Sequence, residues 1–108
     1  VPPAVLAAQG PVHAVAGIGY PARFFQQLRT LGFDVIEHAF ADHYPYRPAD
    51  IDFPENSRVV MTEKDAVKCR AFARAHHWYL TVQARPEPRL ASLILKLLEE
   101  KKHGQKTA

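Results

Sequence analysis

Apolar positions in this chain switch repeatedly between short solid runs and the three-and-four spacing of helices. The run Val12–His13–Ala14–Val15–Ala16 is short, apolar and β-branched. It enters Gly17–Ile18–Gly19 followed by Pro21, and so reads as a strand leaving into a tight turn. Pro21 suits the first turn of a helix, where a missing N–H costs nothing. Phe24, Phe25, Leu28 and Leu31 then follow on one side until Gly32 stops the helix. Further strands are expected at Phe33–Asp34–Val35–Ile36–Glu37, Arg58–Val59–Val60–Met61 and Trp78–Tyr79–Leu80–Thr81–Val82. Thr62 can cap a helix beginning near Glu63 and carrying Ala66, Val67, Cys69, Arg70 and Phe72. Residues 86–102 place Leu90, Leu93, Ile94, Leu97 and Leu98 at helical spacing, which predicts a closing helix. The tail from His103 is expected to fray.

Regular patterning fades between His38 and about Ser57, where Pro45, Pro48 and Pro54 divide a polar and aromatic stretch. Arg47–Pro48–Ala49–Asp50–Ile51 suits one short helical turn. Loops of this length in compact domains are usually functional or mobile. Strands alternating with helices imply right-handed crossovers, hence a three-layer α/β/α domain with a mostly parallel sheet of about four strands. Ligands of such sheets bind beyond the carboxyl ends of the strands. The turns at Gly17–Tyr20, Phe40–His43 and Thr62–Asp65 each follow a strand and are expected to converge on that edge.

Composition narrows the class. At 108 residues with 47% hydrophobic content the chain is one folded domain, not a disordered one. The net charge of +3 is modest. Lys96, Lys101, Lys102 and Lys106 gather near the end, away from the tyrosines, which argues against a nucleic-acid surface. The single Cys69 excludes an intrachain disulfide, and no apolar run approaches a membrane span. His13, His38, His43, His76, His77 and His103 lack the spacing and the cysteines of a structural zinc site, so no metal is expected. Val1–Pro2–Pro3–Ala4–Val5–Leu6 has neither an initiator methionine nor the basic flank of a signal core, as expected of a segment of a longer protein.

Three places carry candidate chemistry. The Gly17–Ile18–Gly19 turn can bring amides to a phosphate, although the third glycine of a dinucleotide fingerprint is missing and a sharp, closely packed turn explains the pair equally. Asp42–His43 sets a carboxylate beside an imidazole among Phe40, Tyr44 and Tyr46. That is either a proton-handling pair or a turn aspartate with a packed histidine. Thr62–Glu63–Lys64–Asp65 is good helix-start chemistry on its own, and Lys64 can also meet a phosphate.

The segments Ala16–Gly17–Ile18–Gly19–Tyr20–Pro21–Ala22–Arg23–Phe24–Phe25, Ala39–Phe40–Ala41–Asp42–His43–Tyr44 and Met61–Thr62–Glu63–Lys64–Asp65–Ala66–Val67–Lys68, in this order, resemble the carboxyl-terminal lobe of the tetraacyldisaccharide 4'-kinase family. The likeness covers nearly all the chain and weakens in the first ten residues and after the last leucines. It implies transfer of the γ-phosphoryl group of ATP to the sugar hydroxyl of a tetraacylated glucosamine disaccharide, the lipid A precursor, on the cytoplasmic face of the bacterial inner membrane. It also implies a preceding P-loop lobe that binds ATP and Mg2+. No G-x-x-x-x-G-K-[ST] occurs here, so the chain alone is expected to be soluble, inactive and without cofactor. On this resemblance residues 1–11 are linker, 12–102 the lobe and 103–108 the frayed tail. His43 would face the cleft between lobes and pair with a carboxylate base of the other lobe, and Asp42 would steady it. Gly17, Gly19, Tyr20, Thr62, Glu63, Lys64 and Asp65 are candidates to face substrate or phosphate. The partners implied are the P-loop lobe, the disaccharide and the membrane surface, with no nucleic acid. The alternative is a stand-alone flavodoxin-like module that binds a phosphorylated small molecule at the same edge.

Overall fold

The computed structural model describes residues 3–83 and 92–98. Strands β1 (Val12–Ala16), β2 (Val35–Ala39), β3 (Val59–Thr62), β4 (His77–Gln83) and β5 (Ser92–Leu97) form one sheet in the order β2-β1-β3-β4-β5. The first four are parallel and β5 is antiparallel to β4. Helix α1 (Pro3–Ala7) precedes the sheet, α2 (Pro21–Thr30) joins β1 to β2, and α3 (Glu63–Cys69) follows β3. The three-layer α/β arrangement is thus present, with one strand more than the pattern suggested.

Local chemistry sets the element ends. Pro21 opens α2 at a position that needs no N–H, and Gly32, at φ 102°, donates to the Arg29 carbonyl to close it. Phe33 belongs to that closure, because its N–H returns to the Leu28 carbonyl at 3.1 Å. This is why β2 begins at Val35, two residues later than expected. The Thr62 hydroxyl accepts from the Asp65 N–H and starts α3, which ends at Cys69. Arg70–Phe72 continue as a separate 3-10 turn.

Two apolar layers hold the sheet. Phe24, Phe25 and Leu28 of α2 cover Val12, Ala14, Val60, Leu80 and Leu95, and Leu6 of α1 joins them. Ala66 and Cys69 of α3 cover Val15, Val59, Met61 and Tyr79 on the other face. There the long β2–β3 connection supplies Tyr46 and Ile51 in place of a crossover helix.

The closing helix is corrected. Ser92–Leu97 is a strand, pairing Leu95 with Leu80 and Thr81 with Ile94, and Leu98 follows it in a turn; residues 86–91 and 99–102 lie outside the described residues, as does the tail. The segment Ser92–Leu93–Ile94–Leu95–Lys96–Leu97 is apolar except at Ser92 and Lys96, and its run of apolar residues suits both periods. In the fold this segment lies along the free edge of β4 and pairs with its backbone groups from Trp78 to Gln83, contacts that a helix there could not make.

Candidate functional site

In the order β2-β1-β3-β4 the chain runs from β1 to one side and returns on the other, so the carboxyl ends of β1 and β3 flank a topological switch point, the usual ligand crevice of open α/β sheets. The turn after β1 and the start of α3 meet there. The Asp65 carboxylate accepts the Gly17 N–H at 2.9 Å and the Thr62 hydroxyl at 2.5 Å, while Thr62 accepts the Asp65 N–H at 3.1 Å. Asp65 is fully buried. Of the residues expected to face substrate or phosphate, Asp65 is therefore turned inward and the Gly17 amide is already engaged. A buried carboxylate needs donors, and the turn is its nearest source.

The third turn arrives from β2. Asp42 Oδ1 lies 3.5 Å from Lys64 Nζ and Oδ2 lies 3.8 Å from His43 Nε2, so the carboxylate sits between a lysine and an imidazole. A Cβ on Gly19 would stand 3.9 Å from the same Asp42 oxygen, which places the glycine turn alongside. Asp42, His43, Gly19 and Lys64 are thus brought together at one edge. The His43 side chain is 78% exposed, and its backbone holds the left-handed conformation at φ 64°. A non-glycine residue in that region stores local strain, a condition that tends to be retained at functional positions.

Tyr20, Thr62 and Glu63 face a neighbouring cleft of about 460 Å³ between α2 and β4, whose walls include Ile18, Phe24 and Leu80, with Arg23 at its rim. Tyr20 is exposed, with the Arg23 guanidinium 6.0 Å above its ring. Glu63 accepts the Thr81 hydroxyl at 2.8 Å. Cleft walls from β4 carried no sequence signal, because their role depends on which strand lies next to β3.

Tyr46 was also missed as a site residue. Its hydroxyl and Asp65 Oδ1 are both buried at Gly17, without a hydrogen bond of normal geometry. Burial, and next the Asp65 charge, push the phenol above its ordinary range. Phe40 and Tyr44 hold the ring from two sides with centroids 5.2 Å away. Tyr44 also donates to Asp50 at 3.3 Å.

Other titratable groups serve the scaffold. His77 accepts the Arg74 N–H at 3.0 Å on Nδ1 and donates from Nε2 to the Ile51 carbonyl at 2.9 Å, and burial pushes its pKa down. His13 and His38 share a 2.8 Å contact beneath the Phe53 ring, both with pKa lowered, chiefly by desolvation. Burial raises the Cys69 thiol to about 12, so it is no nucleophile at neutral pH. Among the described residues no group of three His, Cys, Asp or Glu could hold a metal ion, and no helix is long and apolar enough to cross a membrane.

Fold and site together define a mostly parallel α/β domain that presents an acid–imidazole pair and a lysine at its switch point. Residues 3–99 match the LpxK family model, tetraacyldisaccharide-1-P 4'-kinase, and the chain belongs to that family. It is 60% identical over 77 residues to the tetraacyldisaccharide 4'-kinase of Alkalilimnicola ehrlichii, covering 71% of this chain and 23% of that protein. The enzyme of the same name from Pseudomonas fluorescens strain SBW25 is likewise 60% identical over 77 residues, with the same coverage. That of Aromatoleum aromaticum is 46% identical over 97 residues, 90% of this chain and 28% of that protein. The chain therefore spans about a quarter of the length of these curated relatives. No solved structure matches it.

Proposed function

We propose that this chain is the carboxyl-terminal lobe of a kinase that transfers the γ-phosphoryl group of ATP to the 4'-hydroxyl of a tetraacylated glucosamine disaccharide. The observation that carries this reading is the Asp42–His43 pair, exposed at the switch point with Lys64 on its outer side. His43 is free to face a second lobe, take up or orient the hydroxyl proton and sharpen a carboxylate base brought by that lobe. Lys64 neutralises Asp42 and adds positive charge where phosphoryl oxygens would gather.

The described residues do not fit a nucleotide–magnesium site by themselves. The Gly17 amide is engaged by Asp65, and no three ligating groups converge. On this reading ATP and Mg2+ are held mainly by a preceding P-loop lobe, and the two lobes close on the disaccharide at the cytoplasmic face of the inner membrane. The isolated chain is then inactive.

The test is phosphoryl transfer from ATP to the disaccharide by the full-length kinase and its His43→Ala variant. Loss of turnover by about 100-fold or more with unchanged unfolding is the expected result. Near-parental turnover would remove His43 from the chemistry.

A further inference from the structure

Resting on that reading, we propose that Asp65 is a positioning residue that sets the Asp42–His43 loop, acting through Gly17 and Tyr46 on its inner side and through Lys64 on its outer side. A helix cap alone needs only the Thr62 hydroxyl, and a first-turn acid normally stays in solvent. Asp65 is instead fully buried and reaches across 48 residues of sequence to the Gly17 N–H.

Its second oxygen points to the same spot as Tyr46. A Cβ built on Gly17 would stand 2.6 Å from Tyr46 Oη and 3.3 Å from Asp65 Oδ1, so both buried oxygens crowd one spot without a hydrogen bond of normal geometry, close enough for the carboxylate to act on the phenol. A phenol can donate and a carboxylate can only accept, so the two are complementary. The same Cβ would stand 3.2 Å from the Ala41 carbonyl, the residue before Asp42. Gly17 is therefore the floor on which the loop rests, and Asp65 holds that floor still. The neighbouring Lys64 grips Asp42 from the same helical turn at 3.5 Å. One turn of α3 thus fixes the loop from two directions, at Ala41 through the Gly17 floor and at Asp42 through Lys64, with His43 next in the chain and 3.8 Å from the Asp42 carboxylate.

Placement errors of about 1 Å at a reacting group can cost 100-fold in rate, so a positioning role has a kinetic signature distinct from a structural one. In the full-length kinase, Asp65→Ala, assayed where it is fully folded, is expected to lower kcat by at least about 10-fold with KM little changed. Asp65→Asn keeps an acceptor for Gly17 and Thr62 and offers its amide to Tyr46, and should recover most of that loss. Asp65→Ala combined with His43→Ala should turn over no more slowly than His43→Ala alone, because both act on one step. Folded Asp65→Ala enzyme with parental kcat overturns the proposal, and so does a double variant whose losses multiply. If Asp65→Ala does not fold, Tyr46→Phe decides. It should lower kcat about 3-fold or more with an unchanged unfolding temperature and add nothing in the His43→Ala background, and parental kcat there overturns the proposal. Parental turnover in His43→Ala itself sinks the underlying reading of His43, an outcome separate from an impaired His43→Ala beside an unimpaired Asp65→Ala.

Discussion

Replacing Gly17 by alanine tests the packing at the centre of the site. The new methyl carbon would lie 2.6 Å from the Tyr46 oxygen, inside any normal contact, with the Ala41 carbonyl at 3.2 Å and Asp65 Oδ1 at 3.3 Å. Tyr46 cannot simply swing away. It is 8% exposed, and Phe40 and Tyr44 pack on its ring. Overpacking of this kind costs about 1–3 kcal/mol. In a domain of this size each kcal/mol moves the unfolding midpoint by about 4–8 °C. Tyr46→Phe removes the offending oxygen. Because that hydroxyl makes no hydrogen bond of normal geometry, the single change should be within about 0.5 kcal/mol of neutral. The double variant should therefore recover more than half of the loss, leaving the residual contacts to Ala41 and Asp65. Urea or thermal unfolding of the four proteins completes a double-mutant cycle with an expected coupling of about 1 kcal/mol. Additive effects, or a harmless Gly17→Ala, would refute the geometry.

Three further outcomes follow from the same geometry. His43→Gly should stabilise the fold by about 0.5–1 kcal/mol, because glycine meets no steric penalty at φ 64°, while turnover falls; a loss of stability would contradict the left-handed assignment. His13, His38 and His77 all have folded pKa values below the ordinary 6.5, so the unfolded chain takes up protons first. Stability is then complete above about pH 6.5 and falls as pH drops below it, read as a lower urea midpoint at pH 5.5 than at pH 7.5. Thr62→Ala removes both the α3 cap and a donor to Asp65 and should cost about 1–2 kcal/mol by chemical denaturation; Thr62→Ser, which keeps the hydroxyl, should restore most of it.

Elements with local instructions were legible in the sequence. β1 ends at Ala16 because the turn glycines follow it, α2 lies between Pro21 and Gly32, and Thr62 announces α3 through a hydroxyl that reaches only three residues ahead. The three turns were readable as neighbours for the same reason, since parallel α/β topology sends every strand's carboxyl end to one edge. What the turns do to one another was not readable. Asp65 looked like an ordinary first-turn acid, and nothing local says that its carboxylate crosses to Gly17 or that Tyr46 closes over both. The last strand failed for a related reason. A segment that is apolar except at Ser92 and Lys96 fits either period, and its state depends on the hydrogen-bonding edge that β4 offers it. Backbone pattern and capping are properties of a few consecutive residues, and the sequence determines them directly. Burial of a charge and pairing of an edge depend on partners far along the chain, and only the tertiary structure supplies them.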